Sequence, residues 1–561
     1  MTTDTPRTLL SVLKDFGANL DSALPAYIAK QRWFGGKSRT IRSTRIASTT
    51  SIDAASLIAL VEITYTDAST DTYQLPLGLA SEADASALQA SAPNAIITTL
   101  DKAALIDASA SATFRAALLK TIIDPGTSLP NIAATRSAAL DPVRLADVPT
   151  RVGSAEQSNT SILYDELAIL KIFRRVTNGE NPDVEIGRFL TEVAHFDHIP
   201  AYLGDLHLTS DSTTLAFLQS FSPNVGDGWA WTLSDLDRFF AEVATLPPPP
   251  APSPRPKAPA SAPSSRLEAA ANVPSSRPEA AGRSGETPVL RTTTEPHTAI
   301  RDHALGYLTA AALLGQRTAE LHLALATPTT DEAFTAVPTT PQDLATDRER
   351  IHLQVTTALD ALQSFLKSST TITPEVTALA TELLSHRDDL LARVASLTGD
   401  AARFGHRIRI HGDYHLGQLL RTQSKTAADF LIIDFEGEPA RSLADRRKKQ
   451  SPLRDVAGML RSFGYAARTS LMTALNAHPA KTDDLATWAT AWETAVTDAF
   501  LRSYNATIAA NPVLVPANAN IILNALLLEK ASYELLYELN NRPTWLVIPL
   551  EGLLSIARNG A

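Results

Sequence analysis

Two acidic segments separated by a short gap, Ile410–Leu420 (IHGDYHLGQLL) and Leu431–Pro439 (LIIDFEGEP), constrain this chain more than any other feature. Each polar cluster abuts an apolar run: Arg409-Ile410 precedes the first, Leu419-Leu420 follows it, and Phe430 to Ile433 precedes the second. Short apolar runs of this kind predict buried strands. Isolated Asp and His residues in loops are usually solvated turn formers, but acids at strand ends sit where a rigid scaffold can aim them.

The rest of the chain divides around these segments. Up to about residue 105 the pattern is mixed, with a helix at Leu9 to Phe16 and strands at Arg45 to Ser48, Ala59 to Tyr65 and Thr72 to Leu77. From 106 to 222 a helix, FRAALLKTII, is followed by strands at Leu163, Ala168 to Phe173 and Thr214 to Gln219. From 223 to 561 the reading is almost wholly helical, interrupted by the two acidic loops. Within it, about 246–298 is dense in Pro, Ala and Ser. Such a composition cannot bury enough apolar area to offset the entropy of ordering, and predicts a disordered insertion inside a helical domain.

Composition removes several functional classes. The net charge of -10 argues against a nucleic-acid-binding surface. No apolar stretch reaches the roughly 20 residues of a membrane-spanning helix, and the N-terminus lacks a basic segment followed by an apolar one. No membrane association and a cytoplasmic location are expected. The absence of cysteine excludes disulfides and thiolate chemistry, so a metal would be a hard cation on oxygen ligands.

The acidic segments suit phosphoryl transfer, which needs a carboxylate facing the attacking hydroxyl and ligands for the magnesium that neutralises the phosphates. Asp413 is placed to accept the hydroxyl proton, Gln418 five residues later to offer an amide oxygen to Mg2+, and Asp434, twenty-one residues after Asp413, to offer a second carboxylate. The five-residue interval matches the kinase catalytic loop. On the nucleotide side, Lys171 ends an apolar run and Glu185 opens an amphipathic helix fourteen residues later. The pair resembles the kinase lysine and its helix glutamate; a surface Lys and a first-turn Glu favoured by the helix dipole is the plainer reading. Upstream, RVGSAEQSNTSILY has only Gly153 and fails both glycine-rich patterns. Ser158, Asn159 and Thr160 still offer donors to phosphates. Downstream, Gln219 and Phe221 fall where a strand passes into a turn, as at a hinge that meets adenine.

In this order the motifs resemble those of the maltokinases, relatives of the aminoglycoside phosphotransferases. The likeness runs through QRWFGGKSR at 31–39, EQSNTSILY, LKIFRR, NPDVEI, FLQSFSPNVGDGW, LGQRTAELHLALA, HGDYHLGQLL, IIDFEGEP, SPLRDVAGMLRSFGYAA and EKASYELLYELNNRPTWLVIPLEGL. It implies an α+β, two-lobed, protein-kinase-like fold: a cap domain over 1–105, a kinase N-lobe over 106–222 and a helical catalytic C-lobe over 223–561. It further implies ATP and Mg2+ as cofactors and phosphorylation of maltose at the anomeric hydroxyl, feeding α-glucan synthesis, with His415 and Glu436 facing the sugar. Such domains also occur fused to trehalose synthase, so association with that enzyme is an implied partnership. A kinase of another small sugar such as glucosamine is the alternative, and a non-catalytic partner of α-glucan enzymes a second.

Two tracts stay open on their residues alone. QRWFGGKSR is either a packing anchor and tight turn at Trp33 to Gly36 or, through Lys37 and Arg39, an approach to the nucleotide. Lys530, Tyr533, Glu534, Tyr537 and Asn541 recur at helical spacing. They are either a sugar-reading stripe, in which polar contacts discriminate sharply, or a solvated face.

Overall fold

The computed structural model describes residue 20 and residues 22–100, 103–124, 126–127, 129–153, 158–249, 290, 298–368, 372–423 and 428–558. The helix expected at Leu9 to Phe16 and most of the Pro/Ala-rich insertion lie outside the described residues. The chain forms two compact units: the first comprises 1–228, 324–335 and 409–449, the second 229–323, 336–408 and 450–561. Both acidic loops, expected within a C-terminal lobe, group with the strand-rich unit.

The first unit is built on two antiparallel sheets. In one, β1 (Ile41–Ser51), β2 (Ser56–Tyr65), β3 (Thr70–Ser81), β4 (Ile96–Leu100) and β5 (Ala103–Asp107) run in the order β1-β2-β3-β5-β4. Alternation fixes its buried face: Leu57, Ala59, Val61, Ile63 and Tyr65 of β2 are fully buried and pack with Trp33, Phe34, Tyr73 and Leu75. The QRWFGGKSR tract is therefore a packing anchor. Arg39 stacks on Tyr65 at 3.8 Å and pairs with Asp71. The other sheet has β6 (Ile132–Arg136), β7 (Thr150–Val152), β8 (Asn159–Tyr164) and β9 (Ala168–Phe173), joined by β11 (Tyr202–Leu208) and β12 (Thr214–Ser220) in the order β6-β11-β12-β9-β8-β7.

The chain passes from one sheet to the other in a single step. Immediately after β9, β10 (Arg175–Val176) pairs with β3. The residue at the crossing is Arg174, 1% exposed, which donates to Thr160 Oγ1 at 2.8 Å, pairs with Asp107 at 2.8 Å, reaches Ser109 Oγ at 3.2 Å and lies over Trp33. A buried guanidinium is tolerated here because its charge is met by Asp107 and its Nε and Nη2 by Thr160, Ser109 and Asp107, although Nη1 has no partner among the described residues. The strands β11 and β12 complete the second sheet. In β11, Asp205 is buried yet stable because Tyr202 OH and His207 Nδ1 both contact its carboxylate.

Among its described residues the second unit is helical apart from a two-residue ladder, β13 (Val337–Pro338) with β14 (His406–Arg407). Its principal helices are Pro341–Ser368, Leu453–Ala477, Thr482–Ile508 and Ala519–Asn541. Trp488 and Trp492 fill the core, and Gly315 lets two helices approach backbone to backbone: a Cβ there would stand 2.1 Å from the Phe500 carbonyl oxygen. His322, fully buried, bridges Tyr504 OH at 3.0 Å and Asp455 at 3.2 Å. Back in the first unit, the antiparallel pair β15 (Leu419–Gln423) and β16 (Ala428–Ile432) carries the acidic loops.

One residue corrects the picture of an unbroken disordered insertion. Leu290 is 3% exposed, and its backbone forms two hydrogen bonds with the Asn505 amide, at 3.3 and 2.9 Å. Physical reason favours this point: an apolar side chain in a tract rich in Pro, Ala and Ser finds a buried seat, and Asn505 meets its backbone. Excision of a segment between Ala251 and Glu286 is expected to leave stability near wild type, because loop-closure entropy grows slowly with length. Leu290→Ala is expected to cost about 2–5 kcal/mol. Urea unfolding of both variants checks this, and an inert Leu290→Ala would discard the anchor.

Candidate active site

The site assembles around one ammonium group. Lys171 lies in the middle of the second sheet, paired in register with Ser161 on β8 and Phe217 on β12, and its side chain is buried. Its Nζ meets Asp183 at 3.0 Å, Asp434 at 2.7 Å and Glu436 at 2.8 Å. Among the described residues these three acids are the one group whose ligand atoms lie within 4.8 Å of one another in a manner suited to a metal ion.

Asp183 arrives from the first turn of the helix Pro182–Glu192. Asn181 caps that helix, its side chain accepting from the Asp183 N–H at 2.9 Å, and Pro182 supplies a fixed φ at the first position. The Asp183 carboxylate thus spans Lys171 and the Phe435 N–H, the latter at 2.8 Å. The expected Lys171–Glu185 pair does not form. Glu185 instead binds Arg409 at 2.7 Å and Arg447 at 2.9 and 3.1 Å. The reason is helical geometry: at about 100° per residue, positions 183 and 185 point to nearly opposite sides. Sequence reasoning missed Asp183, Arg409 and Arg447; the Asn-Pro cap signal could have located Asp183 in the first turn.

The acidic loops are locked together by the β15–β16 pair. Leu419 faces Ile432 in the ladder, and the Ile433 N–H donates to the Gln418 carbonyl at 3.0 Å. His411, 1% exposed, contacts the Ile433 carbonyl through Nε2 at 2.9 Å and accepts the Asp413 N–H on Nδ1 at 3.4 Å. It is a strut between the loops. Asp434 has φ +69°, a left-handed conformation that a non-glycine residue holds at a cost and that tends to mark functional positions. Gln418 donates its amide N–H to Asp434 Oδ2 at 2.9 Å, so its nitrogen and not its oxygen faces the cluster.

The remaining candidates divide. Asn159 donates to Glu436 Oε1 at 2.9 Å and so belongs to the cluster, whereas Ser158 is exposed beside it. The Thr160 hydroxyl is instead taken by Arg174. Gln219 is half-buried at the end of β12, and Phe221 donates its N–H to the Leu167 carbonyl at 2.9 Å. His415 caps a short turn, Nδ1 accepting from the Gly417 N–H at 3.0 Å. In the helical unit, Glu534 is buried and held by Arg461 at 2.7 and 3.0 Å, Lys530 lies over the Tyr533 ring at 5.2 Å, and Tyr537 is exposed under Arg542. The Glu534 carboxylate is thus an internal ion-pair partner, so any sugar contact through it would compete with Arg461.

Burial and charge shift the acids in different directions. Desolvation, reinforced by Asp434 and Glu436, outweighs Lys171 and pushes Asp183 up to about 6. For Asp434 burial also pushes upward, but the charge and hydrogen bond of Lys171 win and hold it below the usual carboxylate range. Glu185, also opposed by burial, is held low by Arg409 and Arg447.

Residues 27–110 match the family described as the maltokinase N-terminal cap domain. A glucosamine kinase of Streptacidiphilus jiangxiensis is 23% identical over 403 residues, 70% of each chain, and one of Mycolicibacterium smegmatis is 28% identical over 242 residues, 43% of this chain and 52% of that one. A solved glucosamine kinase, in complex with glucosamine, ADP and inorganic phosphate, has a TM-score of 0.58 at 19% identity, over 96% of this chain and 99% of that chain. The fold is thus a kinase-like α+β fold, and the likeness is to sugar kinases. More narrowly, only the segment 27–110 carries the likeness to the maltokinase cap domain, and the likeness to glucosamine kinases runs over most of the chain.

The raised Asp183 carboxyl makes stability depend on pH. Because it holds its proton more tightly folded than unfolded, the stability it contributes is full below the ordinary carboxylate range and is lost as pH rises through about 6. Asp434 has the opposite sign, and its contribution is lost only as pH falls below that range. Between about pH 4 and pH 7, metal-free protein is expected to lose on the order of 1–3 kcal/mol relative to Asp183→Asn. Denaturant titrations at both pH values check this; parallel pH dependence in the two proteins would refute it.

Proposed function

We propose that this chain is an ATP-dependent sugar kinase that phosphorylates maltose at its anomeric hydroxyl. The observation that carries the kinase reading is the meeting of Lys171 with Asp434 and Glu436, joined through His411 to the loop bearing Asp413. Phosphoryl transfer asks mainly for positioning and charge stabilisation. Lys171, released in part from its carboxylates, would hold nucleotide phosphates, and Asp183 would keep it aimed. The sugar hydroxyl oxygen forms a bond to the terminal phosphorus, the bond from that phosphorus to the bridging oxygen breaks, ADP departs with the electron pair, and the hydroxyl proton passes to Asp413.

The donor set fits a hard divalent cation: three carboxylates face a single ammonium, leaving excess negative charge, and all offer oxygen. Asp434 and Glu436 would hold Mg2+, with Gln418 orienting Asp434. When bound, the ion would supply neutralisation of phosphate charge. The choice of maltose rests on the cap and on the C-terminal tract EKASYELLYELNNRPTW; glucosamine is the second reading, favoured by the names of the chain-spanning relatives.

Asp413→Asn is expected to lower kcat by at least on the order of 100-fold while nucleotide binding survives. Turnover near wild type would remove the proton-acceptor role. Coupled-assay measurement of ATP consumption with maltose, glucosamine, glucose and aminoglycosides decides the acceptor: maltose is expected to be preferred, preference for glucosamine would replace the acceptor and keep the mechanism, and no consumption with any sugar would overturn the kinase reading.

A further inference from the structure

Resting on the kinase reading, we infer that Arg446 is a second phosphate-binding cation, gripping the terminal phosphate of the nucleotide. Arg446 ends the short helix Leu443–Arg446 that follows the second acidic loop. Its Nη1 donates to the Glu436 carbonyl at 2.9 Å, and its stem lies along Gly437, where a Cβ would stand 3.4–3.5 Å from three of its side-chain carbons. Glu436 therefore has a cation at each end: Lys171 on its carboxylate, Arg446 on its carbonyl.

Among the described residues Arg446 forms no direct ion pair. Its Nε is buried without a hydrogen-bond partner among the described residues, and its one hydrogen bond is to a neutral carbonyl. Neighbouring arginines differ: Arg441 pairs with Glu438, Arg447 with Glu185 and Arg175 with Asp71. Burial presses hardest against the charged form of Arg446 and Arg175 adds to it, while the Glu436 charge supports it without a direct ion pair. A guanidinium kept beside a carboxylate-and-lysine cluster, with spare donors in a planar fork and no carboxylate partner among the described residues, suits a phosphate better than any other ligand the proposed reaction brings. Lys171 stands on the sheet, and Arg446 on the segment that continues from the acidic loops. The two cations thus stand on different elements at the two ends of Glu436 and can address different parts of a phosphate chain.

Titration calorimetry with Mg2+ and either ADP or the β,γ-imido analogue of ATP separates this role from a structural one. Arg446→Met is expected to weaken the imido analogue about 10- to 100-fold, the range of a lost charge-assisted hydrogen bond, with ADP near wild type; Arg446→Lys should recover part of the loss. Should Arg446→Met melt early, Arg446→Lys carries the same comparison with a smaller loss confined to the imido analogue. Equal losses for both nucleotides, or none, would overturn the inference and leave Arg446 a strut on the Glu436 turn. Wild-type protein that binds neither nucleotide would instead overturn the kinase reading, and the inference with it.

Discussion

A buried ammonium shared by three carboxylates is the interaction on which the strand-rich unit depends. Lys171 comes from the sheet, Asp183 from a helix twelve residues on, and Asp434 and Glu436 from the loop after β16, so one charge ties this sheet and helix to a segment more than two hundred and fifty residues away. Removing the cation would leave buried like charges facing one another, which is strongly unfavourable. Two residues along the same helix the polarity is reversed: Glu185 is one carboxylate between Arg409 and Arg447. The helix is thereby clamped on both sides, to the sheet through one acid and to the acidic loops through the other. Its register cannot shift without breaking both clusters.

The loops themselves depend on short-range devices of a different kind. His411 and the β15–β16 ladder fix the distance between the segments, and Asp434 accepts a left-handed backbone so that its carboxylate turns toward Lys171. Such strain persists where surrounding contacts over-determine it. The geometry is prepared before any ligand arrives, as electrostatic preorganisation requires.

Much of this was legible in the sequence because it is local. Apolar runs located β2, β3, β9, β12 and β16, and the acidic loops announced themselves by composition and spacing. What spacing could not decide is which of two acids two positions apart reaches the lysine, since that depends on the angle at which the helix docks. The strand β11 was hidden by Gly204 and Asp205, whose unsuitability is offset by contacts from Tyr202 and His207 that only the fold reveals. Leu290 was hidden by its surroundings, a composition that gives no hint of the Asn505 amide waiting for it. The C-terminal stripe read correctly as a helix face, but Arg461, seventy-three positions away from Glu534, claims that acid.

The crossing at Arg174 has a consequence for how the molecule is made. Strand β3 has Arg175 opposite Tyr73, and Gln74 donates its N–H to the Arg174 carbonyl at 2.7 Å. Those partners leave the ribosome about a hundred residues after β3 does, at rates of roughly 5–20 residues per second. For several seconds the nascent N-terminal sheet has a bare edge and an Asp107 without its arginine, a window in which a chaperone or a neighbouring chain can bind. The N-terminal sheet is completed only when the strand carrying Lys171 has been delivered, so quality control of the one is quality control of the other.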